Sequence, residues 1–260
     1  MGAMHAGHVA LMEAAREDCA SVAVSIFVNP TQFSESAEFA GYPRDVERDL
    51  EACERSRVDL VWVPEESNVY GETFQTFVDP GAVSEPLEGA FRPGHFRGVA
   101  TVVSKLFNVF EPDFAYFGQK DWQQTRVVAA LIADLDFDVR LAVVPTVREA
   151  DGLALSSRNS RLKPADRPAA GLLYSTLNLA AELLEGGESD AGRLRSAMLK
   201  ALGSDPRVRI DYVSVADAMS LEELERVREP VVISCAAHVG GVRLIDNLVF
   251  GVELRLSGER

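Results

Sequence analysis

Apolar positions along the chain alternate between two periods. Residues 21–28 are apolar on both faces, the pattern of a strand in a parallel sheet covered by helices on both sides. Shorter blocks of the same kind predict strands at 59–63, 113–117 and 139–144. Between them the spacing becomes helical. Val9, Leu11, Met12 and Ala15 share a face within 9–19, and Leu50 and Cys53 lie opposite acids within 45–55. Further helices are predicted at 98–110 and 121–133. Strands alternating with helices imply βαβ units, hence an α/β fold with a doubly wound parallel sheet.

From about Val147 the pattern changes. A polar stretch, 148–159, leads into helical patterns at 165–185 and 191–202, split by Gly186 and Gly187. Alternating residues at 208–213, then apolar runs at 230–235 and 242–248 around Gly240-Gly241, predict a small antiparallel sheet. The expected organisation is an α/β domain over 1–146 and a smaller α+β domain over 147–260.

The chain has 260 residues, 47% of them apolar and 25% charged, a composition that builds cores and excludes disorder. Forty acids against 26 bases give a net charge of -14, which repels nucleic acid and anionic membrane surfaces. No apolar run approaches the length that spans a bilayer, and no leader pattern opens the chain. Cys19, Cys53 and Cys235 are odd in number and far apart, so neither a disulfide framework nor a structural zinc site is expected. A reducing cytoplasm is the expected location.

Candidate chemistry begins at once. Met1-Gly2-Ala3-Met4-His5-Ala6-Gly7-His8 contains H-x-G-H directly before a helical pattern, placing two imidazoles on one face at a helix start, where unpaired N–H groups attract phosphate. Read alone, the pair fits a phosphate-handling site, a helix cap or a metal equally. Ser156-Ser157-Arg158-Asn159 offers hydroxyls and a guanidinium for a mobile polyphosphate clamp, or an ordinary linker. Gly118-Gln119-Lys120-Asp121 follows a predicted strand and opens a helix; Gly118 would allow a sharp turn and Lys120 would reach a ligand. Asn29, Gln32 and Gln124 could grip a small polar acid or be surface amides. Arg92, His95 and Arg97 form a cationic cluster that suits an anion, a lid or a solvated loop.

In this order these segments resemble the pantoate:beta-alanine ligase family, nucleotidyltransferases with a Rossmann-like domain. The resemblance rests on the opening octapeptide, Phe27-Val28-Asn29-Pro30-Thr31-Gln32-Phe33, Tyr42-Pro43-Arg44, Phe96-Arg97-Gly98-Val99, Gly118-Gln119-Lys120-Asp121-Trp122-Gln123-Gln124 and the stretch from Val147 to Asn159. It implies an AMP-forming ligation: ATP and pantoate give pantoyl adenylate and pyrophosphate, and the amine of beta-alanine then displaces AMP. By the resemblance His8, His5, Lys120 and Arg158 are catalytic. ATP would meet Met1, Gly2, Ala3, Met4, His5, Ala6, Gly7 and His8, then Gly118, Gln119, Lys120 and Asp121, and also Val147, Leu155, Ser156, Ser157 and Arg158. Gln32, Gln124 and Asn29 would take pantoate. Magnesium is implied with ATP, with Asp49 as its candidate ligand, and a homodimer is implied as the assembly.

Two departures stand out. Leu155 replaces the family's usual Met, an exchange of similar volume. The family pattern also places a strand before the residue numbered 1 here, so the expectation is that this sequence lacks it and is poorly soluble or inactive until about thirty residues are restored. The alternatives are another H-x-G-H nucleotidyltransferase, such as a cofactor adenylyltransferase, an aminoacyl-tRNA synthetase, which the acidic balance opposes, and a non-catalytic nucleotide-binding remnant.

Overall fold

The computed structural model describes residues 2–33 and 39–254, and its contacts divide into two compact units. The first comprises residues up to Gly118 together with Gln123–Pro145 and Leu254; the second comprises Gln119–Trp122 and Thr146–Glu253.

The first unit opens with helix α1, Ala6–Asp18. Strand β1, Ala23–Ser25, runs parallel to β2, Leu60–Trp62, with Ala23 opposite Leu60 and Ser25 opposite Trp62. Parallel strands need a long crossover, and helix α2, Val46–Arg55, lies within it. The long helix α3, His95–Phe110, precedes β3, Phe114–Gly118; helix α4, Trp122–Asp134, carries the chain to β4, Arg140–Val144. β3 and β4 are parallel, from Phe114 opposite Arg140 to Gly118 opposite Val144. Phe96, Val99, Val103 and Phe107 of α3 bury against Val127, Val128 and Leu131 of α4, while Met12, Ile26 and Cys53 form a smaller core.

The eight-residue apolar run 21–28 yields only three residues of ladder. Val22 and Ile26 are buried, but Ala23 is exposed, because β1 pairs with β2 alone among the described residues. An apolar pattern reports burial, and burial at two flanking residues is satisfied without a long strand. The parallel strands accordingly stand as two pairs, β1 with β2 and β3 with β4.

In the second unit, helices α5, Arg167–Glu185, and α6, Ala191–Leu202, cover one face of an antiparallel sheet ordered β5 (Val208–Asp217), β6 (Val231–Val239) and β7 (Val242–Phe250). Gly240 and Gly241 both take positive φ, as a two-residue hairpin between right-twisted strands requires. Leu173, Leu177, Leu194, Met198 and Leu202 pack on Ile233 and Cys235 with essentially no exposure. The other sheet face is buried too: Ser214, Ser234 and Asn247 lie side by side across the three strands, and the Trp122 indole N–H donates to the Ala218 carbonyl at 2.8 Å. No helix among the described residues is long and apolar enough to cross a membrane.

Candidate active site

His5 is the N-cap of α1. Its Nδ1 accepts the Gly7 N–H at 3.1 Å, and the His8 Nδ1 accepts the His5 N–H at 3.2 Å, a reciprocal capping box built from two imidazoles. A ring nitrogen that accepts carries no proton, so in both neutral rings the hydrogen sits on Nε2. The two rings meet at a tilt of 44°, with their centroids 4.2 Å apart. Gly7 has a structural reason as well: a Cβ there would stand 2.9 Å from His5 Cε1.

The turn before α1 is held by Asp49 of α2. One carboxylate oxygen accepts the Ala3 N–H at 2.8 Å and the other the Met4 N–H at 2.6 Å, with Asp49 only 1% exposed. Ala3 and Gly2 both adopt positive φ, a conformation that this anchor holds in place. Burial, with Asp49 close by, pushes the Cys53 thiol up from its ordinary value. Met1 lies outside the described residues.

Asn29 is the hub of the next segment. Its Oδ1 accepts from the Thr31 N–H and hydroxyl and from the Tyr70 hydroxyl at 2.8 Å; its Nδ2 donates to Gln32 Oε1 and to the Gly98 carbonyl, both at 3.1 Å. Burial, outweighing the bonds to Thr31 and Asn29, raises the Tyr70 phenol above its usual range, so it remains a donor. The Gln32 carbonyl accepts from His95 Nδ1 at 2.8 Å, and Arg92 reaches both that carbonyl and His95 Nε2. Arg97 lies over the Phe77 ring at 4.0 Å. Arg92 and His95 of the cationic cluster thus brace the Gln32 turn, while Arg97 packs on Phe77. Gly98 is required there, because a Cβ would fall 2.4 Å from the Thr31 carbonyl oxygen.

Two glutamines differ in kind. Gln123 is buried, taking the Glu88 N–H and donating to the Val83 and Pro86 carbonyls, whereas its neighbour Gln124 is half-buried. Gly118 ends β3 without positive φ, and an added Cβ would meet nothing within 4 Å. The chain turns directly after it into the 3₁₀ turn Gln119–Asp121, without needing glycine's left-handed freedom, and Gly118 leaves open space beside the strand end.

In the second unit, Gln119–Asp121 is a single 3₁₀ turn whose Gln119 and Lys120 carbonyls both accept from Asn247 Nδ2. Lys120 is mostly buried, with its ammonium 3.7 Å from Asp121. The polar stretch read as flexible is a braced hairpin. Val147 and Leu155 close it, Arg148 forms a bidentate pair with buried Asp246 at 2.6 and 3.0 Å and lies 3.9 Å over Tyr174, and Arg167 binds Glu149 and Asp151. Ser156 caps the 3₁₀ turn Ser157–Arg161, and Asn159 bonds Glu149 and Ala154. These braces span up to 98 residues of sequence, so no local pattern announces them. Sequence reasoning missed Asp49 as an anchor, Tyr70, Asp246 and Asn247.

Among the described residues no group of three His, Cys, Asp or Glu could hold a metal ion. The carboxylate oxygens of Asp49 are both committed to backbone N–H groups. The residues present do not fit an all-protein magnesium site.

Residues 1–249 match the family model described as pantoate-beta-alanine ligase. The chain is 53% identical over 248 residues to the pantothenate synthetase of Chloroflexus aurantiacus, covering 95% of this chain and 88% of the relative. It resembles the crystal structure of pantothenate synthetase from Thermus thermophilus with a TM-score of 0.92 at 43% identity, covering 95% and 90% of the two chains. The Francisella tularensis pantoate-beta-alanine ligase, complexed with beta-gamma ATP and beta-alanine, matches with a TM-score of 0.78 at 31% identity over 96% and 87%.

Proposed function

The chain belongs to the pantoate-beta-alanine ligase family, and from that membership we propose how its residues divide the work of the reaction. It is a carbon–nitrogen ligase that forms pantothenate. A carboxylate acylates an amine only after its oxygen becomes part of a good leaving group. In the proposed first step a pantoate carboxylate oxygen attacks the α-phosphorus of ATP, the new O–P bond forms and pyrophosphate leaves. In the second, the neutral amine of beta-alanine attacks the acyl carbon, the C–N bond forms, AMP leaves with the C–O electrons, and the amine proton passes to solvent.

The observation that carries this reading is the paired imidazole cap. With both Nδ1 atoms held in the cap, His5 and His8 are fixed at the start of a 13-residue helix with no acid in its first turn, where backbone N–H groups favour an anion. Donors fixed in advance stabilise charge that grows on the attacked phosphate. His8 and His5 would serve there, with Gly2, Ala3, Met4, Ala6 and Gly7 as the backbone around the nucleotide and Met1 as an expectation outside the described residues. Lys120 and Arg158 would neutralise phosphate, with Gly118, Gln119, Asp121, Val147, Leu155, Ser156 and Ser157 completing the ATP contacts. Gln32 and Gln124 would hold pantoate, and Asn29, whose amide is engaged within the protein, would serve by orienting Gln32. A divalent ion arriving with ATP is held largely by phosphate oxygens and water, and no step here passes through it. Residues 1–146 would bind nucleotide and pantoate, and 147–260 would act as a lid; a cytoplasmic homodimer is the assembly the resemblance supports.

Pantothenate formation by His8→Ala and Lys120→Ala tests the assignment. Each should lower kcat by roughly 10²-fold, as loss of a preorganised donor does. Parental turnover in both variants would remove the phosphate roles.

A further inference from the structure

Gln119–Asp121 is too short to hold its own shape, since one 3₁₀ turn has poor internal bonding. Its Gln119 and Lys120 carbonyls instead accept from a single amide, Asn247 Nδ2 on β7, at 3.1 and 2.8 Å. Asn247 is 4% exposed, and its Oδ1 is buried without a hydrogen-bond partner. An amide that served only to fill the sheet face would be replaced to advantage by an apolar side chain, because half of its polarity is buried unmet. Both of its donors go to the turn that carries Lys120.

The preceding residue does the same for the other segment. Asp246 pairs bidentately with Arg148 at the base of the hairpin that leads to Ser156, Ser157 and Arg158, and its Oδ1 also accepts the Asn247 N–H at 2.8 Å. Adjacent residues of one strand thus hold both second-unit segments assigned to ATP, Asn247 through two backbone carbonyls and Asp246 through the Arg148 side chain.

We infer that Asn247 is a positioning residue for Lys120, setting through two backbone bonds where the ammonium stands when ATP is bound. The inference rests on the phosphate role proposed for Lys120 and adds the residue on which that role depends.

The test is a double-mutant cycle on the full chain, with ATP varied and thermal unfolding recorded. Lys120→Ala should lower kcat/KM for ATP by about 100-fold. Asn247→Asp, which keeps the size but loses both donors, should lower it about tenfold in the parent, yet less than about twofold in the Lys120→Ala background, with KM for beta-alanine unchanged. The same fold loss in both backgrounds, or none in the parent, overturns the inference. Full turnover by Lys120→Ala alone overturns the role of Lys120, a failure visible before Asn247 is altered, and the inference falls with it. If Asn247→Asp does not fold, Asn247→Ala replaces it in the cycle, since it removes the same donors without burying a charge.

Discussion

Asp49 is acidic, nearly inaccessible and close to the imidazole pair, properties that suit a metal ligand and a loop anchor equally. Its two oxygens accept the Ala3 and Met4 N–H groups, one each, so the residue anchors two backbone donors. Replacing one oxygen by an NH₂ group in Asp49→Asn sets a donor against a donor, an exchange that costs about 1–3 kcal/mol. Chemical denaturation should show that loss, and kcat should fall because the cap behind His5 loosens, while half-saturation by magnesium stays at the parental value. A shift of that half-saturation by tenfold or more would make Asp49 a ligand instead. The residue types of the candidate site were legible from sequence because H-x-G-H, G-x-K-D and S-S-R-N are contiguous. Which atoms are engaged was not: Asn29 and Gln32 read alike as letters, yet Asn29 uses both ends of its amide within the protein and holds Gln32.

The hairpin from Val147 to Leu155 shows what element-level reading loses. Its composition is that of a linker, and its rigidity comes from Arg148 with Asp246 and from Arg167 with Glu149 and Asp151. Helices α5 and α6 and the strands β5 to β7 were legible because each has a consistent apolar face against one core; β1 was over-read because apolarity at 21–28 measures burial rather than ladder length. The hairpin also gives a pH signature. Hydrogen bonds from Arg167, then from the Leu153 N–H, hold the Asp151 carboxyl below its ordinary value. A depressed folded value means that the carboxylate form stabilises the fold, fully so above the unfolded value of about 3.9, and that this contribution is lost as pH falls through the lower folded value. Because Asp151 is 40% exposed, the effect is modest. Asp151→Asn should therefore lower Tm slightly at neutral pH and flatten its decline below about pH 4. An acid limb identical to that of the parent would mean that the pair does not brace the hairpin.

At the scale of the whole chain the two units differ in how their cores are built. The second has one continuous cluster in which Leu173, Leu177, Leu194, Met198 and Ile233 are fully buried. Among the described residues the first has a larger cluster on α3 and α4 and a small one around Met12, Ile26 and Cys53; its parallel ladders there are two-stranded, and Leu60 on β2 is 55% exposed. Two-stranded ladders are marginal by themselves and depend on the helices that cover them. Stability should therefore be unequal, with the first unit opening at lower denaturant, as expected for units that have separate cores. The chain carries its own reporters, since its two tryptophans fall one in each unit: Trp62 packs edge-on against Phe110 at 5.9 Å, and Trp122 is buried against the Ala218 carbonyl. In urea, Trp122→Phe leaves only the first-unit signal and Trp62→Phe only the second-unit signal. The midpoint reported by Trp62 should be lower by about 0.5 M or more, a difference that typical slopes of about 1–3 kcal/mol/M turn into a measurable gap. Trp122→Phe itself removes a buried hydrogen bond from the second unit, so far-UV dichroism of both variants must show whether the later phase moves with it. Coincident midpoints by fluorescence and dichroism in both variants would mean that the units unfold as one, and that the weaker ladders of the first unit borrow their stability from the rest of the chain.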